Sequence, residues 1–366
     1  MKILIQFGNK GDSLVDHLVS PIAEAQNIDK ILLVCRRCGP EIPKVEYHTT
    51  PRILGKFAPL AVIYEFFNLL RLAVFARPDC IGGYLLFPHI TMAFIVSRLT
   101  HKPFIASLVA GKYEFYTKGS LAGYNLDTTP PWYGRILLKL LIRSDIVTTT
   151  GKVTKNFLVK HGVKDEKIYP IINPPNATKF YPVELIKIYD IVCVSRLSYI
   201  KHIEVLLYAM EKVKKGYPGV RACIVGDGSL EEWFKSIAVK LGIDENVEFA
   251  GYQKDVAHYY NSSRIFVHTS EREGFPNVFL EAMMCGLPCI VSNCGDITDI
   301  ARDGYNCIVI PEYKKHEAFA GAIVRLLEDE ALYMKLGENA LKSVREISRE
   351  EITQTWEEIF KKCVNE

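Results

Sequence analysis

The sequence lacks the marks of several protein classes. It has no low-complexity segment and no internal repeat, which excludes a repeat array and argues against a long disordered chain. No run of about 20 residues is hydrophobic without interruption. The nearest candidate, residues 57–75, is broken by a proline, an asparagine and two charged residues. Residues 1–7 are too short for a signal peptide and fit an opening buried strand. We therefore expect a globular chain without a membrane-spanning helix.

Charge is divided unevenly along the 366 residues. Residues 1–180 carry 23 Lys and Arg against 13 Asp and Glu, whereas residues 181–366 carry 22 against 29. A basic first half suits an anionic substrate or an anionic membrane surface. The same difference also fits two solvated domains that differ by chance. No nucleic-acid partner is expected.

The ten cysteines do not form a disulfide framework. Several, such as Cys193 and Cys289, sit inside apolar strand-like runs, where a free thiol behaves as a small hydrophobic side chain. Cys35 and Cys38 have CxxC spacing, but no second pair stands at a zinc-site distance, so a loop with two incidental thiols is the favoured interpretation. The cysteine pattern predicts a reducing, cytoplasmic location.

Strand-like and helix-like runs alternate along the chain, which predicts βαβ units and parallel sheets. The alternation pauses at NPPNATKFYPV, residues 173–183, which has three prolines and no periodicity, and then restarts. We predict an α/β fold of two doubly wound, Rossmann-like domains that face each other across a cleft. The first domain covers residues 1–180 and is joined by a final helix, 346–366. The second covers residues 181–345.

Two loops of the second domain follow predicted strands and precede predicted helices. The segment Ser195–Lys201 sets Arg196 and Lys201 five residues apart, and two fixed cations suit a diphosphate. Solvated loop charges would explain them equally well. The second loop, Gly226–Ser229, has two glycines that allow a tight turn and close backbone approach to a ligand. A purely structural turn explains that loop as well.

A third loop joins a strand to a helix and carries two acids. In EREGFPNVFLEAMM, Asn277 is predicted as the N-cap of a helix from Val278 to Met284, which Gly286 ends. Free amides at a helix N-terminus bind anions. Glu281, placed in the first helical turn, is suited to accept two hydroxyl hydrogen bonds from a ribose, and Glu273 one from a sugar. Alternatively, Glu281 only complements the helix dipole and Glu273 is solvated.

Two apolar segments of the first half carry cations. Residues 57–75 are interpreted either as a helix buried against a sheet or as one that lies on a membrane, with Arg52, Lys56, Arg71 and Arg77 around it. The second segment, WYGRILLKLLIR at 132–143, is shorter and basic. Together they make an anionic membrane surface a hypothetical partner, with a peripheral position on the cytoplasmic face.

Four segments, in order, resemble the retaining glycosyltransferases of family 4, which have the GT-B fold. VSRLSYIK resembles the diphosphate-binding Arg/Lys segment, IVGDGSLEEW and NVEFAGYQ the two intervening strand–turn segments, and EGFPNVFLE the E-x7-E signature. NPPNATKFYP is similar to the family linker but keeps only its Asn173 and Phe180. The terminal helix is similar to the one that in GT-B proteins crosses back onto the first domain. The resemblance covers nearly the whole chain.

The resemblance implies a nucleotide-diphosphate sugar as donor, a hexosyl group transferred with retention, and no metal cofactor. By the resemblance, Glu281 holds the ribose and Arg196 and Lys201 the diphosphate. The Gly274–Asn277 backbone holds the sugar together with Glu273. The remaining donor-binding positions that it implies are Gly11, Gly226, Tyr252, Gln253, Gly274, Phe275, Pro276, Asn277 and Val278.

The first domain departs from the family pattern. Where the family often has a His-Gly step, this sequence has Ala110 before Gly111, with Lys112, Tyr113 and Glu114 nearby. His89, at the end of another predicted strand, is the alternative catalytic candidate beside Glu273, Arg196 and Lys201. The acceptor is predicted to be a lipid-linked or cell-surface glycan. A nucleotide-sugar 2-epimerase and a non-catalytic GT-B scaffold subunit remain as alternatives.

Overall fold

A computed structural model describes residues 1–8, 12–84, 86–116 and 130–365. The chain divides into two compact units, one of residues 1–173 with 348–366 and one of residues 174–347. The boundary lies earlier than the expected 180, because the end of the linker packs on the second unit. Phe180 is buried with its ring centroid 6.2 Å from that of Tyr260, and the Val183 amide donates to Asn261 Oδ1 at 2.8 Å.

The first unit is built on a seven-stranded, wholly parallel sheet in the order β3-β2-β1-β4-β5-β6-β7. Its strands are β1 Lys2–Gln6, β2 Lys30–Cys35, β3 Val45–Thr49, β4 Cys80–Tyr84, β5 Phe104–Ser107, β6 Ile146–Thr149 and β7 Ile168–Pro170. The helices of this unit that precede the second unit in the chain are α1 Asp12–Glu24, α2 Arg52–Gly55, α3 Ala58–Phe75, α4 Thr91–Leu99, α5 Trp132–Ile142 and α6 Lys152–Lys160.

Helices cover both faces of this sheet, as the near-continuous apolar strands require. One core joins Leu4, Ile81 and Phe104 to the inner sides of α3, α4 and α5. The alternate strand residues, among them Ile3 and Ile5, pack with α1 on the opposite face. Side chains alternate across a strand, so the two clusters are the two sides of one sheet.

The second unit repeats this plan with six parallel strands in the order β10-β9-β8-β11-β12-β13. Its strands are β8 Tyr189–Val194, β9 Ala222–Val225, β10 Val247–Gly251, β11 Ser263–His268, β12 Cys289–Ser292 and β13 Ile308–Ile310. Its helices are α7 Ile203–Gly216, α8 Glu231–Lys240, α9 Val256–Asn261, α10 Asn277–Met284, α11 His316–Glu328 and α12 Glu330–Arg345.

The last helix, α13 Arg349–Asn365, belongs to the first unit. Trp356, Ile359 and Phe360 are buried there in the cluster that holds Ile3 and Ile5. The Arg349 guanidinium donates two hydrogen bonds of 2.7 Å to the carboxylate of Glu24. The sequence predicted this segment as a helix with a polar face from 346 onward. Its apolar face completes the core of the first unit.

Candidate functional site

The strand order of the second unit marks where a ligand site is expected. The chain runs outward from β8 to β9 and β10, and then returns to place β11 on the other side of β8. In open parallel sheets, ligands bind beside the carboxyl ends of the strands where the order reverses in this way. The loops after β8 and β11, residues 195–201 and 269–277, therefore meet at the switch point.

Helix α10 begins one residue earlier than the sequence predicted. Pro276, with φ −79° and ψ 97°, is its N-cap, and Asn277 is its first residue and makes no side-chain cap bond, so the prediction of Asn277 as N-cap was wrong. The proline holds an extended backbone up to the helix start. Glu281 therefore stands in the second turn, not the first. The helix ends as expected, with Gly286 at φ 75°.

Glu273 is held by one side chain from the loop after β8 and by another from the end of β11. Its Oε1 accepts from the Lys201 ammonium in a close ion pair. The same oxygen lies 3.3 Å from Nε2 of His268, the last residue of β11. All three side chains are mostly or fully buried. The arrangement leaves the second carboxylate oxygen of Glu273 for another partner.

The electrostatics of this trio are set by burial and by Lys201. Burial raises the pKa of Glu273, but the Lys201 charge and the His268 hydrogen bond outweigh it and lower that pKa to about 2. Burial lowers the pKa of His268, and the bond to Glu273 only partly offsets this effect. His268 is therefore a neutral ring that donates from Nε2 to an ionised carboxylate.

Glu281 is anchored at a separate point of the same helix–strand unit. Its Oε2 accepts a 3.0 Å hydrogen bond from the hydroxyl of Tyr260, which is fully buried. Burial raises the pKa of Glu281, and the Tyr260 bond opposes this rise. The hydroxyl also reaches the Val278 carbonyl at 3.3 Å. Tyr260 thus fixes the direction in which the Glu281 carboxylate points.

Backbone contacts hold the site loops to one another. The Thr269 hydroxyl donates to the Lys201 carbonyl at 2.8 Å, and the Glu271 amide donates to Ile200 at 2.9 Å. Gly295, at φ 59°, lies so close that a Cβ there would stand 2.1 Å from the carbonyl oxygen of Glu273. A Cβ on Gly226 would stand 2.0 Å from the Ser195 carbonyl. Packing therefore requires a glycine at position 226. This agrees with the interpretation of the Gly226–Ser229 loop as a purely structural turn.

Other predicted donor-site residues lie on this edge but outside the Lys201–Glu273–His268 cluster. Arg196 is exposed, and no ion pair of its guanidinium is found within the described ranges. Tyr252 is exposed after β10, and the Gln253 amide is turned back to the Ala250 carbonyl at 2.7 Å. Gly274, Phe275 and Val278 line the turn and first helical residues that follow Glu273. Gly11 lies outside the described residues.

His89 sits in a buried polar network at the switch point of the first unit, where β4 lies beside β1. It follows β4 in a π-helical turn, a rare geometry often found at functional sites. Gln6, which ends β1, donates from Nε2 to His89 Nδ1 at 3.2 Å and to Glu65 Oε2 at 3.1 Å. Arg36 donates to the other Glu65 oxygen at 3.0 Å. A Gln6 amide that donates to Nδ1 corresponds to the His89 tautomer with its proton on Nε2.

The loop that holds Ala110 is organised by Glu114. One oxygen of this carboxylate accepts from the amides of Val109 and Ala110 at 2.6 and 2.7 Å. Gly111 takes φ 62° at the start of the following 3-10 turn. Glu114 is therefore engaged in shaping the loop, which weakens it as a substitute for the absent histidine.

A comparison with protein families identifies the part of the chain that carries this site. Residues 186–343 match the family Glycosyl transferases group 1. The match covers less than half of the chain and lies within the second unit. The matched range contains Lys201, His268, Glu273 and Glu281, so both carboxylates and their partners lie inside it.

Curated relatives align over a longer part of the chain than the family match does. An uncharacterized glycosyltransferase of Haemophilus influenzae is 28% identical over 236 residues, which are 62% of this chain and 66% of that protein. The N-acetyl-alpha-D-glucosaminyl L-malate synthase of Bacillus anthracis is 29% identical over 60% of each chain. The chain thus spans less than two thirds of the length of these relatives.

A solved structure extends the similarity to both units. Anabaena HepE in complex with UDP-glucose superposes with a TM-score of 0.76 at 21% identity, over 98% of each chain. The chain has the GT-B fold, with two parallel-sheet α/β domains. The predicted fold class is confirmed.

Proposed function

We propose that this protein transfers a sugar from a nucleotide-diphosphate sugar to an acceptor hydroxyl. The observation that carries the proposal is the Lys201–Glu273–His268 cluster at the switch point of the unit that matches the group 1 glycosyltransferase family. The complex of HepE with UDP-glucose supports a nucleotide-sugar as the donor. Glu281 would accept hydrogen bonds from ribose hydroxyls, and Tyr260 would hold it in place for them.

The leaving group of such a transfer is a nucleoside diphosphate, so negative charge grows on phosphate oxygens as the glycosidic bond breaks. Arg196, exposed and without an ion pair within the described ranges, supplies a planar charged fork for them. Lys201 has three donors and spends one on Glu273, so it can bind a phosphate oxygen as well. Donors that strengthen toward the transition state lower the barrier. We propose that these groups act without a metal cofactor.

The finer assignments rest on the family 4 resemblance of the E-x7-E segment. They are a hexosyl donor, retention of anomeric configuration, and a sugar held by Glu273 and the Gly274–Asn277 backbone. His89, with its proton on Nε2, is the proposed catalytic group of the first unit. We place the protein in the cytoplasm, because all ten cysteines are free and nine of them are buried. The proposed acceptor is a lipid-linked or cell-surface glycan, as in polysaccharide biosynthesis.

The test is a thermal-shift panel of UDP-, GDP-, ADP- and CMP-sugars on wild type, Glu281→Gln and Glu338→Gln. Glu281→Gln removes the charge but keeps an oxygen for the Tyr260 hydroxyl. Glu338 is exposed on α12 and serves as the matched control. A ligand at a hundredfold its Kd adds about 2.7 kcal/mol to the free energy of unfolding. One nucleotide series should stabilise wild type and Glu338→Gln but not Glu281→Gln.

A failure of all four series to stabilise wild type would contradict a donor site here and favour the scaffold alternative. Once a donor is found, incubation without acceptor separates the enzyme alternatives. An epimerase converts the donor sugar to its 2-epimer in the absence of any acceptor. A transferase leaves the stereochemistry of the donor unchanged.

A further inference from the structure

Helix α3 of the first unit has apolar residues both on its buried side and on its exposed side. The described residues contain one helix long and apolar enough to cross a membrane by length and composition, α3. Six of its 18 residues are buried in the unit. Exposed apolar side chains occupy its outer side and the residue before it, namely Phe57, Leu60, Ile63, Phe67, Val74 and Phe75. Phe57, Leu60, Ile63 and Phe67 recur every three or four residues and Val74 follows two turns later, so these five lie on one stripe.

The neighbouring helices extend this surface. Helix α4 packs beside α3 and exposes Ile95 and Leu99, and α5 packs beside α4 and exposes Trp132 and Ile136. All three helices cover the same side of the sheet, because their inner residues share one core. We call these outer residues of α3, α4 and α5 the α3–α5 face. Within the described parts of the first unit, most of the large exposed apolar residues lie on it or beside it.

The exposed charged residues within 51–77 and 132–143 are cations, while the nearby Asp145 is paired with Arg98 of α4. From residue 51 to residue 77 the cations Arg52, Lys56, Arg71 and Arg77 are all exposed. The one acid of this stretch is Glu65, which is fully buried and bound by Arg36 and Gln6. Along α5 and its C-cap, Arg135, Lys139 and Arg143 are exposed, and no acid is present. An apolar stripe edged by cations is complementary to an anionic, partly apolar partner.

The buried side of α3 determines whether this helix can cross a membrane or only lie on its surface. Leu69, Leu72 and Ala73 pack in the core of the sheet, and Glu65 is bonded to β1 and the end of β2. Extracting this helix to span a bilayer would expose that core and leave Arg36 without its carboxylate. In the folded unit, α3 can therefore lie along a membrane surface but cannot cross it.

We propose that the α3–α5 face docks on the surface of an anionic lipid bilayer, with Phe57, Phe67 and Phe75 inserted at the level of the headgroups. A second copy of this chain is a poorer occupant. A two-fold contact through the same face would bring its cations against one another, and α3 and α5 themselves expose no acid to match them. The inference stands apart from the proposed function, since it needs neither the donor site nor a transfer reaction.

The test is co-sedimentation of the full chain with sucrose-loaded vesicles of phosphatidylcholine, with and without about 30% phosphatidylglycerol. Wild type should bind the anionic vesicles, bind the neutral ones at least about tenfold more weakly, and dissociate as salt is raised. Phe67→Ser with Phe75→Ser removes side chains that are 61% and 80% exposed and should weaken binding by about tenfold or more. Replacing Arg135, Lys139 and Arg143 with Gln should weaken binding to anionic vesicles only.

The matched control is Ile186→Ser with Val239→Ser, two residues of the second unit that are 86% and 63% exposed. This control should bind vesicles as wild type does, and all variants should keep the wild-type unfolding midpoint. If wild type does not bind anionic vesicles, or the Phe variant binds them as well as the control, the proposal is wrong. Sedimentation velocity without lipid tests whether a second copy of the chain binds to the α3–α5 face instead. A dimer that the Phe variant abolishes, with no vesicle binding, would assign the face to a second copy.

Discussion

His268 and Lys201 contact the same oxygen of Glu273, although His268 ends β11 and Lys201 belongs to the loop after β8. The carboxylate thus joins the two strands that flank the switch point of the second unit. Its charge balances that of Lys201, and its remaining oxygen is left for a ligand. Under the proposed function, the stability of the site and its affinity for a donor would therefore be coupled through one side chain.

Replacing His268 with Leu should lower the free energy of unfolding by about 1.5–3 kcal/mol, because a hydrogen bond to a buried charged group is lost. His268→Gln keeps a donor and should recover part of this loss. Denaturant unfolding of both variants measures the difference. His258→Gln, at an exposed histidine of α9, is the control and should unfold as wild type does. Equal stability of the Leu and Gln variants would rule out the hydrogen bond as the cause.

Acid should destabilise the ion pair of Glu273. Its pKa of about 2 in the folded chain is below the ordinary value of 4.5, so the unfolded chain binds the proton first. The contribution of this group to stability is full above pH 4.5 and is lost as the pH falls toward 2. The whole effect is on the order of 3 kcal/mol.

In Lys201→Met, burial without a countercharge should raise the pKa of Glu273 above its ordinary value. The contribution of this carboxyl to the free energy of unfolding would then increase as the pH falls, whereas in wild type it decreases. Unfolding of wild type and variant between pH 7 and 3.5 compares the two slopes. Parallel slopes would contradict the assignment of the low pKa to Lys201.

Gly295→Ala should destabilise the second unit by about 2–4 kcal/mol, since the new Cβ would meet the Glu273 carbonyl and the backbone stays at φ 59°. Gly304→Ala is the matched control, with φ 67° and open space around its Cβ position. It should cost only about 1 kcal/mol, the price of the left-handed backbone alone. Denaturant midpoints separate the two effects. Similar losses in both variants would contradict the close approach.

Arg196→Gln should raise the Kd of the nucleoside diphosphate by about tenfold, the loss expected for one charge-assisted bond. Arg221→Gln is the control, because Arg221 precedes β9 at the opposite edge of the sheet. Calorimetric titration of both variants gives the comparison. A Kd unchanged in Arg196→Gln would remove this guanidinium from the phosphate site.

His89→Gln should lower kcat of sugar transfer by at least about a hundredfold while the Kd of the donor stays near the wild-type value. The reason is that His89 belongs to the first unit, whereas the donor contacts proposed here belong to the second. Gln6→Leu should lower kcat less, because it removes a partner of His89 Nδ1 and of Glu65 but leaves the imidazole itself in place. Transfer by His89→Gln at the wild-type rate would assign the histidine to the buried network alone.

The inner strands were predictable because their sequences are continuous apolar runs. KILIQF, DIVCVS and RACIVG mark β1, β8 and β9, and the structure places them near the middle of each sheet. Of the edge strands, β10 was identified through NVEFAGYQ, whereas β3, β7 and β13 gave no such signal, since they are short and partly exposed. An edge strand needs fewer buried side chains, so its sequence is less constrained.

The part of the site that depends only on the position of its loops was predictable from the sequence. Parallel strands bring their carboxyl ends to one edge, and this brings the loops of Lys201 and Glu273 together from strand assignment alone. His268 was missed because it reads as the last residue of an apolar strand. The signal that was present is a histidine at a buried position, five residues before an acid. Tyr260 gave no signal, since its contact with Glu281 depends on how α9 packs.

The place of α13 has a consequence for the order in which the protein folds during synthesis. The first unit lacks Trp356 and Phe360 until the ribosome has translated α13, whereas the second unit is one continuous segment, 174–347, that precedes this helix. The second unit can therefore reach its native state first. The side of the first sheet that packs against α1 stays incomplete until α13 has been translated. A chain cut at residue 347 would keep its second unit and expose the core of its first unit.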